Sequence, residues 1–346
     1  MYQRILVPID GSPTSDLGLG EAISLAKLTG GSIRLMHVLD ELVFAAGFET
    51  GTTYAHTVLP ALRQRSEGIL AAGRERVAAA AVPVEAITSE CFARRPSDVI
   101  VEQAAAWSAD LIVIGTHGRR GVHRMMLGSD AEEVARMAPV PVLLVRSTAD
   151  VTRSAAGAPL EPVAVGVSSA TACTKRGAGN VAAAPSAPWI SPGAAMYQRI
   201  LVPIDGSDTA ARGLAEALAL ARELKATLRL LNLTSDFALM VEMSTAIDFE
   251  KYREGLNQFG HHLLAKSSEQ VKAQGVACET TMHDLRGGRV ADAIVEEARR
   301  SRCDLIVIGT HGRRGVSRAM LGSDAENVLR SSPVPVLLVR EPPTVG

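Results

Sequence analysis

"MYQRILVPIDGS" occupies residues 1–12 and stands again, unchanged, at residues 196–207. Within it, "RILVPID" is a short run of branched apolar residues that ends on an aspartate and is broken by Gly-Ser, which reads as a buried strand running into a turn. "SDLGLGEAISLAKLTG" (15–30) follows with the spacing of an amphipathic helix closed by Gly30. Next come strand "SIRLMHVL", a variable loop from Asp40 to about Tyr54, and a long helix near 56–81. Strand "VEAIT", helix "SDVIVEQAAAW", strand "DLIVIGT", helix "DAEEVARM" and strand "VPVLLVR" complete the series. Strands alternating with helices predict an α/β fold, with a parallel sheet, right-handed crossovers and helices on both faces. Apolar runs such as "LIVIG" fit strands covered on both sides.

A second block repeats as well. "DLIVIGTHGRRGV" lies at 110–122 and at 304–316, an offset of 194, against 195 for the opening block, so the copies align with a single net deletion. Such a period means two similar domains, not a short-repeat solenoid. At 346 residues the chain is long enough for two separate cores. The expected domains are 1–146 and 196–341, each repeating the same element order. Residues 147–195, rich in Ala, Ser, Gly and Pro, are expected to form a flexible linker. Those 49 residues could span on the order of 160 Å if extended, so they barely restrict docking. "EPVAVGVS" (161–168) within them is a candidate edge strand.

Composition narrows the function classes. A formal net charge of -1 gives no overall attraction to nucleic acid or to a membrane surface. No apolar stretch reaches the ~20 residues needed to cross a bilayer. The N-terminal residues lack a signal-peptide pattern, and Cys91, Cys173, Cys278 and Cys303 form no CxxC pair; both features fit free thiols in the cytoplasm.

In an open parallel sheet, ligands sit beyond the carboxyl ends of the strands where the strand order reverses. Asp10, Val38 and Gly115 should converge there. From Gly115 the spacing is Gly-x2-Gly-x9-Gly-Ser, through Gly118 to Gly128 and Ser129; the second copy has Gly309, Gly312, Gly322 and Ser323. Glycines allow the backbone to approach a ligand closely, and a helix opening at Gly-Ser presents N–H groups and a positive dipole end to an anion. The pattern therefore predicts a phosphate cradle. Ser129 with Glu132, and Ser323 with Glu326, also have the form of a capping box, which is expected at both helix starts alongside any phosphate contact by the serine. Asp130 and Asp324 oppose a bound triphosphate. Arg119, Arg120, Arg124, Arg313, Arg314 and Arg318 are either the offsetting charge or solvated surface. Asp10 and Asp205 either form an Asx turn or bond a nucleoside. His117 and His311 lack a second ligand at metal spacing and are assigned a structural role, and His261-His262 point to different helix faces.

"ILVPIDGS", the "HVL" strand end, Gly-x2-Gly-x9-Gly-Ser and the closing "PVPVLLVR" together resemble the universal stress protein family in its tandem form and, by the glycine motif, its ATP-binding branch. The resemblance covers both repeats and omits the linker. It implies two Rossmann-like, adenine-nucleotide alpha-hydrolase-like domains, each a five-stranded parallel sheet of order 3-2-1-4-5. It implies ATP, with or without Mg2+, as ligand: adenine and ribose at Asp10 and Val38, and phosphates on Gly115, Gly118, Gly128 and Ser129. The matching positions in the second copy are Asp205, Leu233, Gly309, Gly312, Gly322 and Ser323, where Asn232 and Leu233 replace the His-Val of the motif. It further implies pairing through the last strands, Val142 to Val145 with Val336 to Val339, as an intramolecular pseudo-dimer favoured by the tether, or as a homodimer. Protein partners are not implied.

Three functions follow: a nucleotide-dependent stress or regulatory protein without fast turnover, a slow ATPase or phosphotransferase, and a nucleotide-free scaffold. There is no G-x4-G-K-[ST] loop and no kinase motif set. The Ser-Gly-Gly-x-Asp-Ser loop and His-x-Gly-His pair of ATP-cleaving relatives are also missing. No catalytic residue is assigned, and binding is favoured over turnover.

Overall fold

The computed structural model describes residues 1–39, 56, 59–91, 94–116, 127–146, 196–235, 249–285, 288–310 and 321–340. In the first copy the order is β1 (Arg4–Pro8), α1 (Pro13–Thr29), β2 (Ser32–Leu39), α2 (Leu59–Ala79), β3 (Val84–Glu90), α3 (Pro96–Ala106), β4 (Leu111–Gly115), α4 (Ser129–Met137) and β5 (Val142–Val145). The second copy repeats it with β6 (Arg199–Pro203), α5 (Asp208–Leu224), β7 (Thr227–Ser235), α6 (Phe249–Ala273), β8 (Cys278–Leu285), α7 (Val290–Arg300), β9 (Leu305–Gly309), α8 (Ser323–Ser331) and β10 (Val336–Val339). The loop after Leu39, the linker and its candidate strand at 161–168 lie outside the described residues.

All ten strands form one sheet, ordered β3-β2-β1-β4-β5-β10-β9-β6-β7-β8. Each half is parallel and has the expected 3-2-1-4-5 order. Alternation along β1 shows why both faces are covered. Ile5 and Val7 pack with Leu19, Ala22 and Leu25 of α1 and with Leu70 and Val77 of α2. Leu6 points the other way, against Val99 and Ile100 of α3 and Val134 and Ala135 of α4. Each such buried aliphatic side chain contributes roughly 1.5–3 kcal/mol. Asp110 and Asp304 tie strand starts together identically in the two copies: Gln3 and Gln198 each donate a backbone N–H at 2.6 Å, and Arg4 and Arg199 at 3.0 Å.

The halves join through β5 and β10, which pair antiparallel with Leu143 opposite Leu337. Both cores run across this seam. Arg146, just past β5, donates to the carbonyl of Arg330 at 2.5 Å at the end of α8. Arg340, just past β10, donates to the Arg136 carbonyl at the end of α4. Each arginine thus meets the negative end of a helix dipole in the other domain. On the opposite face, Tyr197 donates its hydroxyl to Glu21 at 2.7 Å. Burial, then the Glu21 carboxylate, push the Tyr197 phenol well above its ordinary range.

The copies diverge at one buried cluster. In the first, Arg4 and Arg34 lie over the Trp107 ring, 4.8 and 4.6 Å from its centroid. In the second, Ser301 stands where Trp107 would be and Glu297 where Gln103 would be. Glu297, with a side chain only 1% exposed, accepts from Ser301 at 2.6 Å and Arg229 at 2.5 Å, lies 2.9 Å from His283, and pairs with Arg300. Burial alone pushes this carboxyl up, but the bonds from Ser301, His283 and Arg229 outweigh it and hold the group at about 2.

Candidate functional site

Asp10 lies two residues past the end of β1 and folds back on the chain. Its Oδ1 accepts the Ser12 backbone N–H at 2.9 Å, across Gly11 at a φ of +76°. Asp205 does the same with the Ser207 N–H at 2.9 Å and also takes the Ser207 hydroxyl at 2.6 Å. The Asx turn, one of the two readings of these aspartates, is therefore present in both copies. Ser12 and Ser207 then cap the following helices, accepting from Ser15 N and Ala210 N, each at 3.2 Å.

The start of α1 presses directly on the end of β4. A Cβ added to Gly115 would lie 2.7 Å from the Thr14 carbonyl carbon and 2.9 Å from Ser15 N. At Gly309 the distance to the Thr209 carbonyl carbon would be 2.8 Å. Glycine is thus required at these two positions by backbone packing, whatever binds beyond.

Thr116 ties the end of β4 to the start of α4: its carbonyl accepts the Gly128 N–H at 2.8 Å. Thr310 and Gly322 repeat this link at 2.8 Å. The capping box is corrected here. Gly128 and Gly322 are the N-caps of α4 and α8, since Glu132 N bonds Gly128 O and Glu326 N bonds Gly322 O, both at 2.9 Å. Ser129 and Ser323 therefore sit one place inside the helix, too late to cap, and are exposed. Glu132 and Glu326 fall one place too late to complete the box and turn to arginines. Glu132 pairs with Arg136 at 2.7 Å and Arg330 at 3.1 Å; Glu326 pairs with Arg330 at 2.7 Å and Arg136 at 3.2 Å. A glycine N-cap has no side-chain oxygen to take up the first-turn N–H groups, which leaves that end suited to an anion.

The end of β2 lies beside these segments, because Ile9 N bonds the Met36 carbonyl at 2.8 Å two residues before Val38. Ile204 and Leu231 do the same before Leu233. In the second copy Asn232 is buried and donates to the Ile204 carbonyl at 2.8 Å. Asp10, Val38, Gly115, Gly128 and Ser129 are thus brought to one end of the first half, and Asp205, Leu233, Gly309, Gly322 and Ser323 to the corresponding end of the second. Gly118, Gly312, His117, His311 and the six loop arginines lie outside the described residues. His261 and His262 are both exposed. Among the described residues no three potential ligand side chains stand together for a metal, and no helix is long and apolar enough to cross a membrane. Among the described residues Cys91, Cys278 and Cys303 form no disulfide. The sequence reading missed Thr116 and Thr310, whose role is carried by backbone, and the Glu132–Arg330 pairing, whose one signal was the Glu-x3-Arg spacing in α4 and α8.

Comparison with known proteins matches residues 1–146 and 196–340 to the universal stress protein family. The chain belongs to that family. A universal stress protein of Methanocaldococcus jannaschii is 33% identical over 147 residues, covering 42% of this chain and 84% of the relative. Universal stress protein YxiE of Bacillus subtilis is 32% identical over 151 residues, covering 42% of this chain and all of the relative. A solved universal stress protein from Archaeoglobus fulgidus aligns over 98% of this chain and 97% of its own, with a TM-score of 0.63 and 18% identity. That likeness extends the shared fold across both universal stress protein repeats.

Proposed function

We propose that this universal stress protein binds ATP in both domains and uses nucleotide occupancy as a regulatory signal in the stress response, without fast turnover. The observation that carries this reading is the glycine-capped start of α4 and α8, held beside the Asx turns of Asp10 and Asp205 at the strand ends. The fit to a phosphate chain rests on helix starts whose glycine N-caps bring no side-chain acceptor, on an exposed serine one place inside, and on Gly118 or Gly312 of the glycine motif. Gly115 and Gly309 serve by letting the two backbones close, and the Gly128 and Gly322 N–H groups are already engaged. Asp10 with Val38, and Asp205 with Leu233, would hold ribose and adenine. A Mg2+ ion would be held mainly by phosphate oxygens and water. When bound, ATP supplies charge and occupancy; the protein's part is to orient it. In this reading residues 147–195 tether domains 1–146 and 196–341, and the chain works in the cytoplasm.

The test is native mass spectrometry of freshly purified protein, with calorimetry on a variant bulky at both Gly118 and Gly312. Copurified ATP, and loss of ATP affinity in the folded variant, are expected. Unchanged affinity refutes the cradle, ADP with steady phosphate release points to an ATPase, and protein that takes up no nucleotide points to a scaffold.

A further inference from the structure

Four charged side chains join the two glycine-capped helices, α4 and α8, to each other, close to the helix starts. Arg136 of α4 bonds Glu132 on its own helix at 2.7 Å and Glu326 of α8 at 3.2 Å. Arg330 of α8 bonds Glu326 at 2.7 Å and Glu132 at 3.1 Å. All four are sheltered, between 19% and 35% exposed, so their attraction is screened less than that of a surface pair. Glu132 and Glu326 each lie one turn inside the helix start, three residues from Ser129 and Ser323. The carbonyl ends of both helices are held by Arg340 and Arg146 of the opposite domain, so a change at one helix has little freedom to dissipate within its own domain.

Resting on the nucleotide reading above, we propose that the two sites are negatively coupled through Glu132, Arg136, Glu326 and Arg330, which act as positioning residues shared between them. An anion at the start of α4 raises the negative potential around Glu132 and draws both arginines toward it. Each arginine is also a partner of Glu326. Positive charge drawn to one helix is lost to the other, and the start of α8 then accepts a second anion less well. Each arginine contacts both glutamates at once, so the two helix starts draw on the same pair of positive charges, which is the shared element the coupling works through.

The experiment is ATP calorimetry on the full chain in four forms: unaltered, with site two disabled by the bulky, neutral Gly312→Leu, with Glu132→Gln and Glu326→Gln together, and with all three changes. Glutamine keeps the size and an acceptor oxygen, and urea midpoints confirm that each form is folded. In the unaltered protein, site one should bind at least about five-fold more tightly when site two is disabled than when it is filled, the low end of typical couplings. In the double-glutamine background that difference should vanish. A site-one affinity independent of site two, or a dependence that survives both glutamines, overturns the coupling while leaving nucleotide binding intact. Failure of the unaltered protein to bind ATP at all overturns the nucleotide reading and the coupling with it.

Discussion

Arg34 lies 4.6 Å from the centroid of the Trp107 ring, while its counterpart in the second domain, Arg229, donates instead to the buried carboxylate of Glu297 at 2.5 Å. Both arginines also pair with the glutamate of the neighbouring strand, Glu85 at 3.0 Å and Glu279 at 2.7 Å, so the copies differ in whether the further partner is an aromatic face or a second carboxylate. Trp107→Ser should cost about 3–5 kcal/mol, the usual range for removing a buried aromatic side chain. Adding Gln103→Glu, which imports the second domain's solution, should recover part of that loss. Urea denaturation of the single and double variants checks both steps, and a Gln103→Glu change that adds further destabilisation contradicts the equivalence.

The Glu297 carboxyl, held at about 2, makes stability depend on pH in a defined direction. A lowered folded-state pKa means a contribution fully present above about 4.5, the unfolded value, and lost as pH falls toward 2. Glu297→Gln should lower stability by about 3 kcal/mol at neutral pH, since it breaks a buried charge network. The variant should also show a smaller drop between pH 5 and pH 2 in denaturation midpoints recorded across that range.

Gly115→Ala should destabilise by about 1–3 kcal/mol, because its Cβ would stand 2.7 Å from the backbone of Thr14. That loss should be the same with and without ATP in the buffer, as read by thermal unfolding. A substitution at Gly118 should behave in the opposite way, altering affinity more than stability.

Helix α1 ends on Gly30 at a φ of +68°, but α5 ends on Lys225 at +56°, in the same left-handed conformation with a side chain attached. Lys225→Gly should therefore raise stability, by about 0.5–1 kcal/mol once the greater freedom of glycine in the unfolded chain is counted. A chemical denaturation curve at neutral pH measures it.

The alternation of parallel strands and helices was legible because the repeats "RILVP" and "LIVIG" announce buried strands and the duplication allowed each element to be read twice, whereas the strand order came from the family resemblance. Asp-Gly-Ser after a strand left two readings of the aspartate open, and the Asx turn was one of them. The capping box did not hold, since one residue of difference in where a helix begins cannot be read from Gly-Ser-Asp-Ala when both glycine and serine are acceptable caps. Gly115 carried the right residue for a reason invisible locally, namely the approach of α1 from a hundred residues upstream. The Glu297 cluster depended on partners from β7, β8 and α7, none of which marks the others in sequence.

The antiparallel pairing of β5 with β10 also decides which associations are open to the chain. In a two-chain assembly built through last strands, each subunit keeps a contact edge that any relative with a compatible strand can compete for, and partners exchange. Here both edges belong to one polypeptide and are sealed against each other, and among the described residues β3 and β8 stand at the rims of the sheet. The pair of domains is joined in one-to-one ratio within a single chain, with the last strand of each occupied by the other.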